Sequence, residues 1–183
     1  MGRPVWPSKS HAFPDKRCVA GRTRCGYIGR VKTILAPIDF SGVSDAVVEE
    51  ASTLARALNA RIVLLTVIQP PIITSEYAPM MENLAEITAA GEKATAKKLA
   101  AIKQQLQTDM IPTESIQLNG APVAHIVEQA QKLSADYIVM GSHGHTAVYD
   151  LLVGSTTHGV LMRAKCPLVI VPPKEAKLAK QRR

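Results

Sequence analysis

Short apolar runs recur along most of the chain and predict strands. Five runs, rich in Val, Ile and Leu, cover residues 33–38, 61–67, 115–118, 137–140 and 168–171. Most are apolar almost throughout rather than alternating with polar residues, which is typical of strands covered on both faces. The sequence therefore predicts a buried sheet.

Apolar residues at helical spacing lie between these runs. The first amphipathic stretch has a candidate N-cap at Ser41 or Ser44 and ends at Asn59. A long helix is predicted over residues 80–108, with an inner stripe that includes Ile87, Ala94 and Leu99.

Two shorter helices complete the pattern. One begins at Pro122, since proline is favoured in a first helical turn, and the other covers about residues 154–163. The resulting order, strictly alternating from strand to helix, predicts an α/β domain with parallel strands and helices on both faces of the sheet.

The richest chemistry follows the fourth strand, where glycines are spaced as Gly-x2-Gly-x9-Gly-Ser from Gly141 through Gly144 to Gly154. Glycines let the backbone approach an anion closely, and successive amide groups can surround phosphate oxygens. Ser155 and Thr156 add hydroxyl groups where the next helix begins. A phosphate-binding loop is one interpretation and a purely structural glycine turn is the other. The spacing matches neither the dinucleotide fingerprint nor the Walker loop.

This glycine motif resembles the ATP-binding motif of the universal stress protein family. Two further segments support the resemblance, Lys-Thr-Ile-Leu-Ala-Pro-Ile-Asp-Phe-Ser at residues 32–41 and Ala-Lys-Cys-Pro-Leu-Val-Ile-Val-Pro at residues 164–172. All three occur in the family's order, and together the resemblance covers about residues 31–173.

The resemblance implies a five-stranded parallel sheet of order 3-2-1-4-5, a Rossmann-like fold similar to that of the adenine nucleotide alpha hydrolases. It implies that ATP binds with Mg²⁺ and that the last strand pairs two subunits in a homodimer. The nucleotide-binding residues it implies are Pro37, Asp39, Ile62, Met140, Gly141, Gly144, Gly154, Ser155 and Thr156.

Asp39 stands apart in this set because a carboxylate and a phosphate repel each other unless a cation lies between them. We therefore expect Asp39 to meet the ribose, the base or Mg²⁺, whereas its structural alternative is helix capping. In a sheet of the implied order, the ends of strands one and four meet at the switch point, where ligands bind in open α/β sheets.

We expect an ATP-binding regulatory module without strong chemistry of its own. The alternative is a slow ATP hydrolase or phosphotransferase of the same fold, with His143 or Ser155 assisting. Ser-His-Gly-His at residues 142–145 does not match the His-x-Gly-His signature of nucleotidylyltransferases. A paired-carboxylate site, a Ser-His-Asp set and a cysteine nucleophile are not suggested by the sequence.

The net charge of +7 is concentrated at the two ends. Residues 1–30 carry +6 and residues 174–183 carry +4, so the segment between them carries −3. We expect a disordered basic extension at 1–30, one folded domain at 31–173 and a basic tail at 174–183. Nucleic acid is an unexpected partner for this acidic body, although the basic ends offer a tether to nucleic acid or protein.

Two further features concern the setting of the protein. An odd number of cysteines, three, without a secretory signal argues against a disulfide framework. Apolar runs are shorter than the roughly 18 residues that a membrane helix needs. We therefore expect a cytoplasmic protein that does not enter a membrane.

Overall fold

The computed structural model describes residues 30–69, 84–143 and 153–173. The predicted alternation of strands and helices is confirmed over these ranges. The elements are, in chain order, β1 (Thr33–Pro37), α1 (Ser44–Leu58), β2 (Arg61–Ile68), α2 (Leu84–Thr108), β3 (Thr113–Asn119), α3 (Pro122–Lys132), β4 (Tyr137–Gly141), α4 (Ser155–Leu161) and β5 (Leu168–Val171).

The strands form one parallel sheet in the order β3-β2-β1-β4-β5, which confirms the predicted topology. The central strand β1 pairs with β2 through Ile34 and Ile62 and with β4 through Leu35 and Ile138. The chain changes direction across the sheet between β1 and β4, so a crevice opens there at the carboxyl ends of the strands.

Each face of the sheet has its own aliphatic core. Ile34, Leu64 and Val139 pack on the side of α1 and α2, whereas Leu65 and Ile138 pack on the side of α3 and α4. Burial of each such side chain stabilises the fold by roughly 1.5–3 kcal/mol. These two layers pack against both faces of the sheet that carries the crevice.

The start of α1 differs from the prediction. Its N-cap is Val43, without a side-chain cap, and Ser44 is already the first helical residue. The expected closure at Asn59 is confirmed, because this residue adopts the left-handed conformation with φ 50°. The serine hydroxyl that was expected to cap the helix bonds to Asp39 instead, 3.2 Å away.

The predicted inner stripe of α2 is wrong at Ile87 and Ala94, which are both exposed. The helix has 25 residues, or about 37 Å, whereas β3 with 7 residues spans about 23 Å. The Asn119 amide at the end of β3 donates to the Glu92 carboxylate at 2.7 Å, so residues before Glu92 extend beyond the sheet. Ala94 lies on the solvent side of the stripe that buries Leu99.

Several predictions fall on residues that the structure does not describe. Residues 1–29 and 174–183, with the expected disordered extension and basic tail, lie outside the described ranges. Gly144 lies there too, within the undescribed segment 144–152. These expectations stay predictions.

Candidate functional site

A cavity of about 670 Å³ opens at the carboxyl edge of the sheet, at the switch between β1 and β4. Its walls come from the ends of β1, β2 and β4, from the beginning of α1, α3 and α4, and from α2. The lining residues are Pro37, Ile38, Asp39, Phe40, Val43, Ser44, Val47, Leu65, Thr66, Val67, Ile68, Gln69, Thr95, Pro122, Ile126, Met140, Gly141, His143, Gly154, Ser155, Thr156 and Thr157.

Most of the residues proposed from sequence line this one cavity. They are Pro37, Asp39, Met140, Gly141, Gly154, Ser155 and Thr156. The parallel sheet brings the acidic turn after β1 and the glycine-serine segment after β4 together, although about a hundred residues separate them in the chain. A purely structural glycine turn would not require these two segments to converge on one cavity.

Ile62 is the residue that the structure does not bring to the cavity. It is fully buried near the amino end of β2, and its amide donates to the Pro112 carbonyl at 2.9 Å. Val67 lies five positions further along the strand, or about 16 Å away, because a parallel strand rises about 3.3 Å per residue. The part of β2 that lines the cavity is its carboxyl end, including Thr66 and Val67.

Asp39 organises the turn that follows β1. Its Oδ1 accepts hydrogen bonds from the Ser41 amide at 3.0 Å and from the Ser44 hydroxyl at 3.2 Å. Phe40 between them has φ 60°, a left-handed backbone conformation that is uncommon for a residue other than glycine. Its ring is half-buried, and Lys98 Nζ lies 5.6 Å from the ring centroid. Asp39 thus lines the cavity from a turn that hydrogen bonds and packing hold in place.

Gly141, the last residue of β4, sits where two segments approach closely. A Cβ placed on Gly141 would overlap Val43 Cγ1 and lie 3.1 Å from the His143 carbonyl oxygen. Only glycine therefore allows the first residues of α1 to pack against the end of β4. The close approach seen at Gly141 is to Val43 at the start of α1, and an approach to a phosphate stays a prediction.

Hydrogen bonds tie α4 to the end of the sheet. The Ser142 amide donates to the Val171 carbonyl at 2.8 Å, and the Gly154 amide donates to the Ser142 carbonyl at 2.7 Å. Buried within the same region, the Thr157 hydroxyl donates to the Gly141 carbonyl at 2.7 Å. The Gly154 amide is thus engaged within the protein, so any phosphate there must be met chiefly by neighbouring groups.

His143 also lines the cavity, beside the glycine segment. Its Nδ1 lies 3.0 Å from the Ser142 hydroxyl, which is itself nearly buried. His143 therefore adds a polar ring to the cavity wall. His145 lies outside the described residues.

Sequence reasoning missed Thr66, Thr95 and Thr157, which all line the cavity. Thr66 carries a signal in retrospect, because it is the one polar side chain in the run of residues 62–68. Thr95 and Thr157 have no such signal, since threonine is common on helices and only the packing reveals which face is turned inward.

The amino-acid sequence is similar to those of a known protein family. A sequence profile described as "Universal stress protein family" matches residues 30–172. Since this match covers most of the chain, the protein belongs to the universal stress protein family.

Individual relatives show the same relationship. The chain is 35% identical over 148 residues to universal stress protein A homolog 1 of Coxiella burnetii, covering 79% of this chain and 98% of that protein. It is 30% identical over 147 residues to universal stress protein MJ0531 of Methanocaldococcus jannaschii, covering 79% and 85%.

Solved structures share the fold. UspA of Lactobacillus plantarum superposes with a TM-score of 0.68 at 25% identity, covering 78% of this chain and 99% of that one. A universal stress protein solved in complex with cAMP has a TM-score of 0.54 at 24% identity, covering 80% and 100%.

The described residues also bear on a metal site and on a membrane span. Within residues 30–69, 84–143 and 153–173, no group of three or more His, Cys, Asp and Glu side chains is arranged to hold a metal ion. The helices of these same ranges are too short or too polar to cross a membrane. A cytoplasmic location stays a prediction.

Proposed function

We propose that this protein is a nucleotide-responsive regulatory module that binds ATP with Mg²⁺ in the cavity at the switch point. The observation that carries the proposal is the joint lining of one cavity by Asp39 and by Gly154, Ser155 and Thr156. A volume of about 670 Å³ lies within the range of about 300–1,000 Å³ that small-molecule sites occupy.

The lining offers different chemistry to the two ends of a nucleotide. The hydroxyl groups of Ser155 and Thr156 can donate to phosphate oxygens. Apolar side chains of Val67, Ile126 and Met140 line the same cavity and suit the flat faces of a base. An adenine nucleotide, which joins a polyanion to an aromatic ring, matches both.

Asp39 suits a ribose hydroxyl or Mg²⁺. Its carboxylate oxygen already accepts from Ser41 and Ser44, which orients the group at the mouth of the cavity. A carboxylate oxygen is a hard ligand of the kind that Mg²⁺ prefers, and Mg²⁺ usually takes one or two carboxylates together with phosphates of the nucleotide. The cation would also offset the repulsion between Asp39 and the phosphates.

Isothermal titration calorimetry with ATP and Mg²⁺ tests this proposal directly. Asp39→Asn and Gly154→Val should each weaken binding at least tenfold, the first by removing a charge and the second by placing a side chain in the cavity. Asp45→Asn is the matched control, since Asp45 is exposed in the first turn of α1, outside the cavity lining. The proposal would be refuted if the wild-type protein gave no binding heat and its melting temperature did not rise with ATP and Mg²⁺.

Slow hydrolysis or phosphotransfer is the second candidate, and the position of His143 in the cavity wall favours it. In this reaction His143 would assist the attack of a water molecule or of an acceptor group near the phosphates. Turnover of ATP that disappears in His143→Ala, while affinity is kept, would support catalysis. Equal turnover in both proteins would leave only the binding role.

We also propose that β5 pairs with its counterpart in a homodimer. β5 is the last strand of the sheet order, and Ile170 on it is 36% exposed. An apolar strand at a sheet edge tends to acquire a partner. Sedimentation should show a wild-type dimer at micromolar concentration and a monomeric Ile170→Lys variant, and a monomeric wild type would refute the dimer.

A further inference from the structure

Exposed apolar side chains lie along the edge of the sheet opposite the cavity. Each helix returns the chain to the amino ends of the parallel strands, so the segments between a helix and the next strand share this edge. We call it the amino edge: residues 30–32, 59–60, 109–112, 133–136 and 162–167, with the helix ends and strand starts beside them. Within the described ranges, it carries four of the six large apolar side chains that are exposed, namely Val31, Met110, Leu161 and Met162. Single exposed apolar residues are ordinary, but four on one edge indicate a surface that meets a partner.

The apolar side chains are spread across the width of the sheet. Met110, 88% exposed, precedes β3 at one end of the strand order, whereas Met162, 70% exposed, precedes β5 at the other. Strands spaced about 4.8 Å apart separate these two positions by roughly 19 Å, with Val31 between them. Met110 also has φ 61°, a backbone conformation that costs stability for a residue of its kind. This spread suits a broad, flat partner better than a small ligand.

The amino edge is positively charged. Acidic side chains near it are paired with cations: Asp136 with Arg30, Asp109 with Arg56, Glu114 with Arg61 and Glu128 with Lys132. Three further cations, Lys32, Arg163 and Lys165, are exposed and make no ion pair within the described part of the chain. The edge therefore has three uncompensated positive charges, although residues 31–173 together carry −3. Such a separation of charge attracts an anionic partner to this edge.

The basic extension joins the folded domain at the same edge. Residues 1–30 carry +6, and the chain passes from them into β1 through Arg30. The Arg30 guanidinium donates to the Ser134 carbonyl at 2.8 Å and to Asp136 Oδ1 at 2.9 Å, which holds the start of the described chain on the amino edge. The charge of the extension thus adds to that of the edge.

We propose that the amino edge docks the protein on an anionic lipid bilayer. The aliphatic side chains enter the layer between headgroups and acyl chains, while the cations and the basic extension are attracted to lipid phosphates. Nucleic acid fits less well, because the exposed apolar side chains include no aromatic ring on which a base could stack. Docking of this kind needs no membrane-spanning helix, and it leaves the cavity at the opposite edge open to solvent.

Co-sedimentation of the full chain with lipid vesicles tests the inference. Wild-type protein should bind vesicles of equal parts phosphatidylglycerol and phosphatidylcholine at least tenfold more tightly than vesicles of phosphatidylcholine alone, since each cation near an anionic surface strengthens binding roughly fivefold. Added salt should weaken this binding by screening the attraction. Binding to neither vesicle, or equal binding to both, would overturn the inference. So would tighter binding to a double-stranded DNA oligonucleotide than to the anionic vesicles.

Variants of the exposed methionines separate the edge from the extension. Met110→Gln combined with Met162→Gln keeps size and charge, and should weaken binding to the mixed vesicles roughly tenfold because two apolar side chains are lost. Ile87→Gln is the matched control, since Ile87 is 66% exposed near the beginning of α2, at the cavity end of the sheet. It should bind like wild type. If the methionine double variant also binds like wild type, the basic ends alone hold the protein and the inference is wrong.

Charge reversal tests the electrostatic part of the edge. Lys165→Glu should weaken binding to the mixed vesicles roughly tenfold or more, because it removes one cation and adds an anion at the docked surface. Lys93→Glu makes the same change on the exposed first half of α2, away from the amino edge, and should have a much smaller effect. Equal losses in the two variants would show that only net charge matters, and would contradict docking through this edge.

Discussion

The Thr157 hydroxyl donates a 2.7 Å hydrogen bond to the carbonyl oxygen of Gly141, the last residue of β4. The bond joins the first turn of α4 to the end of β4, which lines the cavity, and Thr157 is 3% exposed. It sets the position of Ser155 and Thr156 relative to Asp39. The almost fully buried Thr157 therefore orients Ser155 and Thr156, the side chains that we propose bind the phosphates.

Replacing Thr157 by valine should test this link. The Gly141 carbonyl would lose its partner without a change of shape, so unfolding should become easier by about 1–2 kcal/mol. Affinity for ATP should also fall several-fold because α4 is held less firmly, as calorimetry and thermal melting would show. Thr157→Ser keeps the donor, and an equal loss of affinity in that variant would contradict the role of the bond.

Gly141→Ala should destabilise the fold by about 1–3 kcal/mol, the usual cost of forcing an extra group into packed surroundings. The new methyl group overlaps Val43 Cγ1, so the double variant Val43→Ala with Gly141→Ala should recover part of the loss. Gly42→Ala is the control, since its added Cβ meets nothing within 4 Å. Chemical denaturation measures all of these, and a fully additive double variant would show that the overlap is not the cause.

Gly91→Ala should have the opposite effect on stability from Gly141→Ala. Gly91 lies within α2, is exposed, and leaves open space where a Cβ would stand. Alanine is favoured over glycine inside a helix by about 0.5–1 kcal/mol, so the variant should be more stable by that amount. Denaturant titration would measure the gain, and a loss of stability would mean that this part of α2 is not helical in solution.

The Cys166 thiol should react slowly with alkylating reagents. Partial burial raises the pKa of this thiol, and at any pH below a raised pKa the reactive thiolate is a smaller fraction. At pH 8, iodoacetamide should modify Cys166 several-fold more slowly in the native protein than in urea. Peptide mass spectrometry separates Cys166 from Cys18 and Cys25, and equal native and unfolded rates would contradict the effect of burial.

The order of elements could be predicted because it depends on local chemistry. Aliphatic runs such as residues 61–67 are too apolar to be anything but covered, and Pro122 and Asn59 mark helix ends through their own backbone preferences. Strand order came from family resemblance, and the sheet confirms it.

Which residues line the cavity or are exposed could not be predicted from the sequence, because this depends on contacts between distant segments. Ile62 and Thr66 lie four residues apart in β2, yet only the second lines the cavity, because the edge of the sheet is set by pairing with β1. The exposure of Ile87 likewise follows from the different lengths of α2 and β3. Neither fact is visible in the periodicity of a single element.

The Ser142 amide bonds to the carbonyl of Val171, the final residue of β5. This hydrogen bond connects the outermost strand directly to the segment beside the cavity. If nucleotide occupancy and subunit pairing both occur as proposed, they form a thermodynamic cycle. Any factor by which ATP tightens the dimer must then equal the factor by which dimerisation tightens ATP.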